Sequence, residues 1–193
     1  MKPHSAPHHV FLLRHGETEW NREGRIQGQL NSDLTPEGQE QARHQGRVLQ
    51  RLRQDLGAHH VRCSPLGRVR DTARLAGEGA DIVTDARLME IGCGTWEGTR
   101  HQDRLATDPD IVRALKADFD VYIKAPGGEG LDALSDRIAA FLDDLDGPTI
   151  IFAHKIALVV MRAILCGSDL SSDMAPAQGS VLEIRNGVAR SHV

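Results

Sequence analysis

Short apolar runs alternate along the chain with longer stretches whose apolar residues recur at helical spacing. Val10–Leu13, Val61–Cys63, Ile82–Thr84, Thr149–Ala153 and Val181–Ile184 read as strands. Asn186-Gly187 follows the last of them, a type I′ hairpin signal that leads into Val188–Arg190. Thr35-Pro36 supplies an N-cap and a proline at the first helical position, so a helix runs from there to about Leu56, where Gly57 ends it. Ser64-Pro65 repeats that signature and opens a helix through Val69, Ala73 and Ala76. Leu131, Leu134, Ile138, Phe141, Leu142 and Leu145 share one helical face, whereas Ile156–Leu165 is apolar nearly all round, as in a helix buried on most sides. A weaker helix lies near Ile111–Phe119. This alternation predicts an α/β protein: a single three-layer domain over residues 1–193, with a mostly parallel central sheet flanked by helices. Residues 96–130, which lead into Pro126-Gly127-Gly128, read as a short cap-like excursion over the site, not a second domain.

Length agrees with one domain, since 193 residues bury about 70% of the unfolded surface without disulfides or metals. Twenty-three basic against 27 acidic side chains give a net charge of −4, which excludes a nucleic-acid binder driven by bulk charge. The early apolar run Val10-Phe11-Leu12-Leu13 falls far short of the ~18 residues that cross a bilayer, so no membrane partner is expected. Cys63, Cys93 and Cys166 are widely spaced and form no C-x-x-C pair, so neither a disulfide framework nor a zinc knuckle is suggested. The His8-His9 and His59-His60 pairs flank strands and read as solvated strand ends. A cytoplasmic protein is the expectation.

Candidate chemistry gathers where strands stop. Leu12-Leu13-Arg14-His15 ends an apolar strand on an arginine and a histidine, and Ile150-Ile151-Phe152-Ala153-His154 ends another on a histidine at the mouth of a helix. Val61-Arg62-Cys63 runs into Ser64-Pro65-Leu66-Gly67-Arg68, placing Arg68 in the first turn of a helix. A cation there opposes the helix dipole unless an anion lies close. In open α/β sheets ligands sit beyond the carboxyl ends of the strands, and two histidines with two arginines at three strand ends suit an anion, most simply phosphate.

These residues fall into blocks. Arg14-His15-Gly16-Glu17-Thr18, with Trp20-Asn21, Gln27-Gly28 and Leu34-Thr35-Pro36-Glu37-Gly38, is the first; Ser64-Pro65-Leu66-Gly67-Arg68 with Thr72-Ala73 is the second. Leu88-Met89-Glu90-Ile91-Gly92 followed by Gly94-Thr95-Trp96-Glu97-Gly98, then Pro126-Gly127-Gly128-Glu129, then the His154 strand complete the series. Together they resemble the histidine phosphatase (phosphoglycerate mutase-like) superfamily, in family order from Phe11 to Leu165. The resemblance implies phosphoryl transfer through a phosphohistidine, with His15 as nucleophile and Arg14 and Arg68 clamping the phosphoryl oxygens and lowering the pKa of His15. It further implies that His154 is the second histidine of the site and Glu90 the proton donor. Asn21, Gln27 and Gly28 would complete the phosphate pocket. No metal and no cofactor is implied; the partner is a small phosphorylated substrate, and a homodimer stays open because some family members pair through a sheet edge.

Two positions depart from the family pattern. Lys155 stands where the family usually has Gly, and either reaches the substrate, swings into solvent or obstructs the pocket. Gly130 replaces a frequent Ser. Cys93, three residues past Glu90, reads as a small buried hydrophobe. Because the excursion is short and the chain stops soon after the hairpin, water should reach the phosphoenzyme, so a phosphomonoester hydrolase is expected. The alternatives are phosphoglycerate mutase-type transfer and a non-catalytic phospho-ligand binding protein in which Lys155 tightens binding.

Overall fold

The computed structural model describes residues 9–79, 82–107 and 120–193. Its strands are β1 (His9–Arg14), β2 (His60–Cys63), β3 (Ile82–Thr84), β4 (Thr149–Ala153), β5 (Val181–Arg185) and β6 (Val188–His192). Its α-helices, again among the described residues, are α1 (Glu19–Arg22), α2 (Pro36–Leu52), α3 (Gly67–Leu75), α4 (His101–Thr107), α5 (Asp120–Ile123), α6 (Leu131–Asp143) and α7 (Lys155–Cys166).

One six-stranded sheet has the order β3-β2-β4-β1-β5-β6. The first four in that order run parallel, while β5 pairs antiparallel to β1 and β6 to β5. The sheet is therefore mixed, and its antiparallel edge is the hairpin expected at Asn186-Gly187, both of which take the positive φ that a type I′ turn requires. Alternation along β1 explains the layers. Phe11 and Leu13 point to one side and pack with Val48, Leu49, Val69 and Ala73 of α2 and α3. Val10 and Leu12 point to the other and pack with Ile138 and Phe141 of α6 and Leu158 and Met161 of α7. Every residue of β4 is buried, as a central parallel strand covered on both faces must be.

Three expectations are corrected in detail. The helix opened by Thr35 passes into a 3₁₀ turn at Arg53–Asp55 instead of running to Leu56. The next begins at Gly67 with Leu66 as its N-cap, because the Ser64 hydroxyl is engaged by a histidine ring and does not cap it. His9 is not a solvated strand end: its Nε2 lies 2.8 Å from Glu183, which also binds His192 at 2.9 Å. The helix expected near Ile111–Phe119 lies outside the described residues.

Candidate active site

Strand order brings the carboxyl ends of β2, β4 and β1 side by side, and these deliver Ser64, His154 and His15. The His15 ring is 3% exposed and meets His154 edge-on, with centroids 5.3 Å apart. Its Nδ1 lies 2.8 Å from the Gly16 carbonyl oxygen. A carbonyl only accepts, so the proton sits on Nδ1 and Nε2 keeps its lone pair. Burial holds His15 well below the ordinary histidine pKa, and the charges of Arg68 and Arg14 push the same way. The sequence pointed to the two arginines; removal from water is the larger cause. His154 is likewise held low, first by burial and then by Arg68.

Arg68 is 1% exposed, and its guanidinium donates to the Leu30 carbonyl at 2.6 Å and the Gly28 carbonyl at 2.8 Å. These bonds stitch the 28–30 loop to α3. The Arg68 Nε is buried with no partner, and so are Arg14 Nε, His154 Nδ1 and Gln27 Oε1. Leaving such a group unsatisfied costs about 1–3 kcal/mol each. Burial lowers the Arg68 pKa to about 10 and lowers that of Arg14 as well. Arg68 nevertheless remains a cation at neutral pH. An oxyanion placed among them would satisfy the donors and offset the desolvated charge.

Glu90 closes the opposite side. Its carboxylate accepts from the backbone N–H of Ile91 (3.0 Å), Ala157 (3.1 Å) and Ile156 (3.2 Å), which seats it on the first turn of α7. Around it, Arg137 donates to the backbone carbonyls of Arg87 and Glu90 while pairing with Glu129, and Glu129 accepts from Gly92 N–H. Asn21 ends the capping box of α1; its Oδ1 accepts from Thr18 N–H and from Gln178, leaving the amide NH₂ as its remaining donor group.

Arg14, His15, Asn21, Gln27, Gly28, Arg68, Glu90 and Lys155 all border one inner cavity of about 40 Å³. His154 is fully buried and stands behind His15 instead of on the cavity wall. Lys155 is the first residue of α7, and its ammonium sits 6.0 Å from the centre of the Tyr122 ring. Asn21, Arg25, Tyr122 and Lys155 also border an outer cavity of about 610 Å³.

Three supporting residues were not among the site residues expected from the sequence. Ser64 Oγ holds His154 Nε2 at 2.8 Å. Glu97 accepts from Gln29 and Cys93 N–H and so joins the two loops that border the pocket. Arg137 anchors the Glu90 segment. Only Glu97 carried a local signal, its place beside Gly94-Thr95-Trp96; the partners of Ser64 and Arg137 are far away in sequence. Cys93 is buried, as expected, and burial pushes its thiol pKa up.

A family model described as histidine phosphatase superfamily (branch 1) matches residues 10–191. The chain belongs to that superfamily. "Probable phosphoglycerate mutase GpmB" of Citrobacter koseri is 40% identical over 165 residues, which cover 82% of this chain and 74% of that protein. Among solved structures, the alpha-ribazole phosphatase of Shigella flexneri superposes with a TM-score of 0.76 at 29% identity, covering 96% of this chain and 95% of that one. The protein TTHB049 of Thermus thermophilus does so at 0.67 and 34% identity, covering 91% and 92%. The mixed sheet with helices on both faces is thus the histidine phosphatase fold, and membership makes the chain an enzyme of phosphoryl transfer. Among the described residues no helix is long and apolar enough to cross a membrane.

Proposed function

We propose that this histidine phosphatase hydrolyses a small phosphomonoester through a phosphohistidine on His15. The observation that carries the reading is the His15 ring: its proton is held on Nδ1 by the Gly16 carbonyl, and its Nε2 lone pair is left at a cavity bordered by the buried Arg68 and the half-buried Arg14. Nε2 attacks phosphorus in line, the Nε2–P bond forms as the ester P–O bond breaks, and the leaving oxygen takes a proton from the Glu90 carboxyl. Arg14 and Arg68 turn their unpartnered Nε donors onto the phosphoryl oxygens. With the Ser64 hydroxyl donating to His154 Nε2, Nδ1 of His154 carries the remaining proton, and the ring packs edge-on against His15. Water then attacks the phosphohistidine, the P–N bond breaks, the Glu90 carboxylate takes the water's proton, and inorganic phosphate leaves. Asn21, Gln27 and the Gly28 loop frame the phosphoryl pocket.

Hydrolysis is favoured over transfer to a second substrate because the inner cavity shares its wall with the much larger outer one, which leaves room for water beside the substrate. The relative named as a phosphatase supports it; the relative named as a probable mutase keeps phosphoryl transfer as the alternative. A cytoplasmic setting belongs to the same proposal, since Cys63, Cys93 and Cys166 are all free thiols. Self-association through a sheet edge is the accompanying expectation, read by sedimentation velocity.

The test is phosphate release from p-nitrophenyl phosphate and from aliphatic phosphomonoesters. Native protein should turn over, and His15→Ala should lose at least about 10³-fold in kcat. Quenching in alkaline detergent during turnover should trap a base-stable, acid-labile phosphoenzyme that the variant lacks. Interconversion of 2- and 3-phosphoglycerate dependent on a bisphosphorylated primer would indicate a mutase instead. Tight phosphate binding without any turnover would indicate a binding protein.

A further inference from the structure

Two segments of the site run side by side at Ile26, whose N–H donates to the Thr99 carbonyl at 2.9 Å and whose carbonyl accepts from Gly98 N–H at 2.8 Å. One segment brings Gln27 and Gly28 to the inner cavity; the other begins at Glu90 on the same cavity. Glu97 stands between them. A single oxygen of its carboxylate, Oε1, accepts from Gln29 N–H at 3.0 Å on the first segment and from Cys93 N–H at 2.9 Å on the second. The carboxylate rests directly on Gly28, where an added side-chain carbon would fall 2.1 Å from that same oxygen. Glu97 is half-buried and is not among the described residues that border either cavity.

Each side of this joint leads to a group of the site. On the first, the Gly28 and Leu30 carbonyls receive the Arg68 guanidinium at 2.8 and 2.6 Å, so the position of the loop sets where Arg68 points. On the second, Cys93 lies three residues past Glu90, and the Gln29 side chain adds a tie by donating to the Glu90 carbonyl at 3.2 Å. Backbone N–H bonds to a carboxylate are about twice as strong as those to a neutral acceptor. The charge of Glu97, after that of Glu90, also offsets part of the lowering that burial imposes on the Arg68 pKa. We propose that Glu97 is a positioning residue, a strut whose one oxygen sets the spacing between the phosphoryl pocket around Arg68 and the Glu90 carboxyl. It acts through Gly28, Arg68 and Glu90 and touches no substrate atom. Its kinetic test rests on the phosphatase reading; its binding test does not.

Substitutions at this position separate reach from charge. Glu97→Gln keeps the length and an oxygen that can accept both N–H bonds, but loses the charge. Glu97→Asp keeps the charge and is one methylene short. Glu97→Ala loses both. On an aliphatic phosphomonoester, kcat should fall about 10²-fold in Glu97→Ala and Glu97→Asp, the cost of displacing reacting groups by about 1 Å, and Glu97→Gln should recover most of that loss. Urea unfolding of each variant ensures that kcat refers to folded protein, since a merely structural residue would move the midpoint and leave kcat alone. A native-like kcat in folded Glu97→Asp, or a Glu97→Gln as slow as Glu97→Asp, overturns the proposal while leaving the hydrolase reading intact. If Glu97→Ala does not fold, the comparison of Glu97→Asp with Glu97→Gln decides; if neither Glu97→Ala nor Glu97→Asp folds, the role is structural and the proposal fails.

If native protein hydrolyses nothing, the hydrolase reading fails, and calorimetric binding of inorganic phosphate decides the strut separately. Binding to native protein and Glu97→Gln that is at least about tenfold tighter than to folded Glu97→Asp, the size of one charge-assisted contact at Arg68, upholds it. Equal binding by all of them, or none by any, overturns it.

Discussion

At the scale of single residues, the site rests on which atoms are left unpaired. The proposed nucleophile and proton donor sit in different settings: the His15 imidazole is buried near the charges of Arg68 and Arg14, and the Glu90 carboxylate is seated on backbone N–H donors of α7. If Glu90 supplies the proton, its importance must scale with how poor the leaving group is. In Glu90→Gln, hydrolysis of an aliphatic phosphomonoester should fall by about 10²–10⁴ in kcat, the range for one positioned acid. Hydrolysis of p-nitrophenyl phosphate, whose phenolate leaves without help, should fall much less. An equal loss on both substrates would mean that Glu90 only holds the pocket in shape.

At the scale of elements, the proposed nucleophile is fixed by how closely β1 approaches the start of α2. A side-chain carbon added at Gly16 would meet the Gly38 carbonyl oxygen at 2.1 Å, and one added at Gly38 would meet the Glu17 carbonyl oxygen at 2.0 Å. Both neighbours are backbone, so neither can swing aside. Thr72 in α3 adds a hydroxyl that accepts from Gly16 N–H at 3.1 Å, tying a third element to the same turn. Gly16→Ala should therefore force β1 and α2 apart. We expect a loss of about 2–4 kcal/mol in a urea unfolding curve, the scale of overpacking in a site that cannot relax. Stability within about 0.5 kcal/mol of native would show that the two elements separate easily.

At the scale of the whole molecule, two histidines are buried neutral at one end of the sheet, and folding stability must depend on pH through them. Both have folded pKa values below the ordinary 6.5. Below that pH the unfolded chain takes up protons that the folded chain refuses, so unfolding becomes easier as pH falls. Stability from these groups is fully present above about 6.5 and is lost on acidification from there, with a slope of up to about 1.4 kcal/mol per pH unit for each histidine. Urea titrations at pH 7.5, 6.5 and 5.5 should show little change over the first step and a loss of at least about 1.4 kcal/mol over the second. A flat profile across the second step would mean that water reaches the two rings.

Much of the fold was legible from the chain because periodicity is a local signal. Alternation in Val10–Leu13 and the continuous run Thr149–Ala153 say which faces are covered, and Asn186-Gly187 specifies its turn through φ alone. Where the site lies was legible for the same reason: Arg14-His15 and His154 stand where apolar runs stop. The start of α3 was misplaced by two residues, since whether Ser64 caps a helix or holds a histidine depends on a ring ninety positions away. The tertiary structure alone decided the rest. The sheet order places β4 between β2 and β1, and no local pattern encodes that order. From it follow the burial of His15, the proton on its Nδ1 and the unpartnered Nε atoms of Arg14 and Arg68. The sequence by itself determined which candidate groups stand at the strand ends. Desolvation and geometry, which arise only when distant segments meet, decided the state in which each group is held.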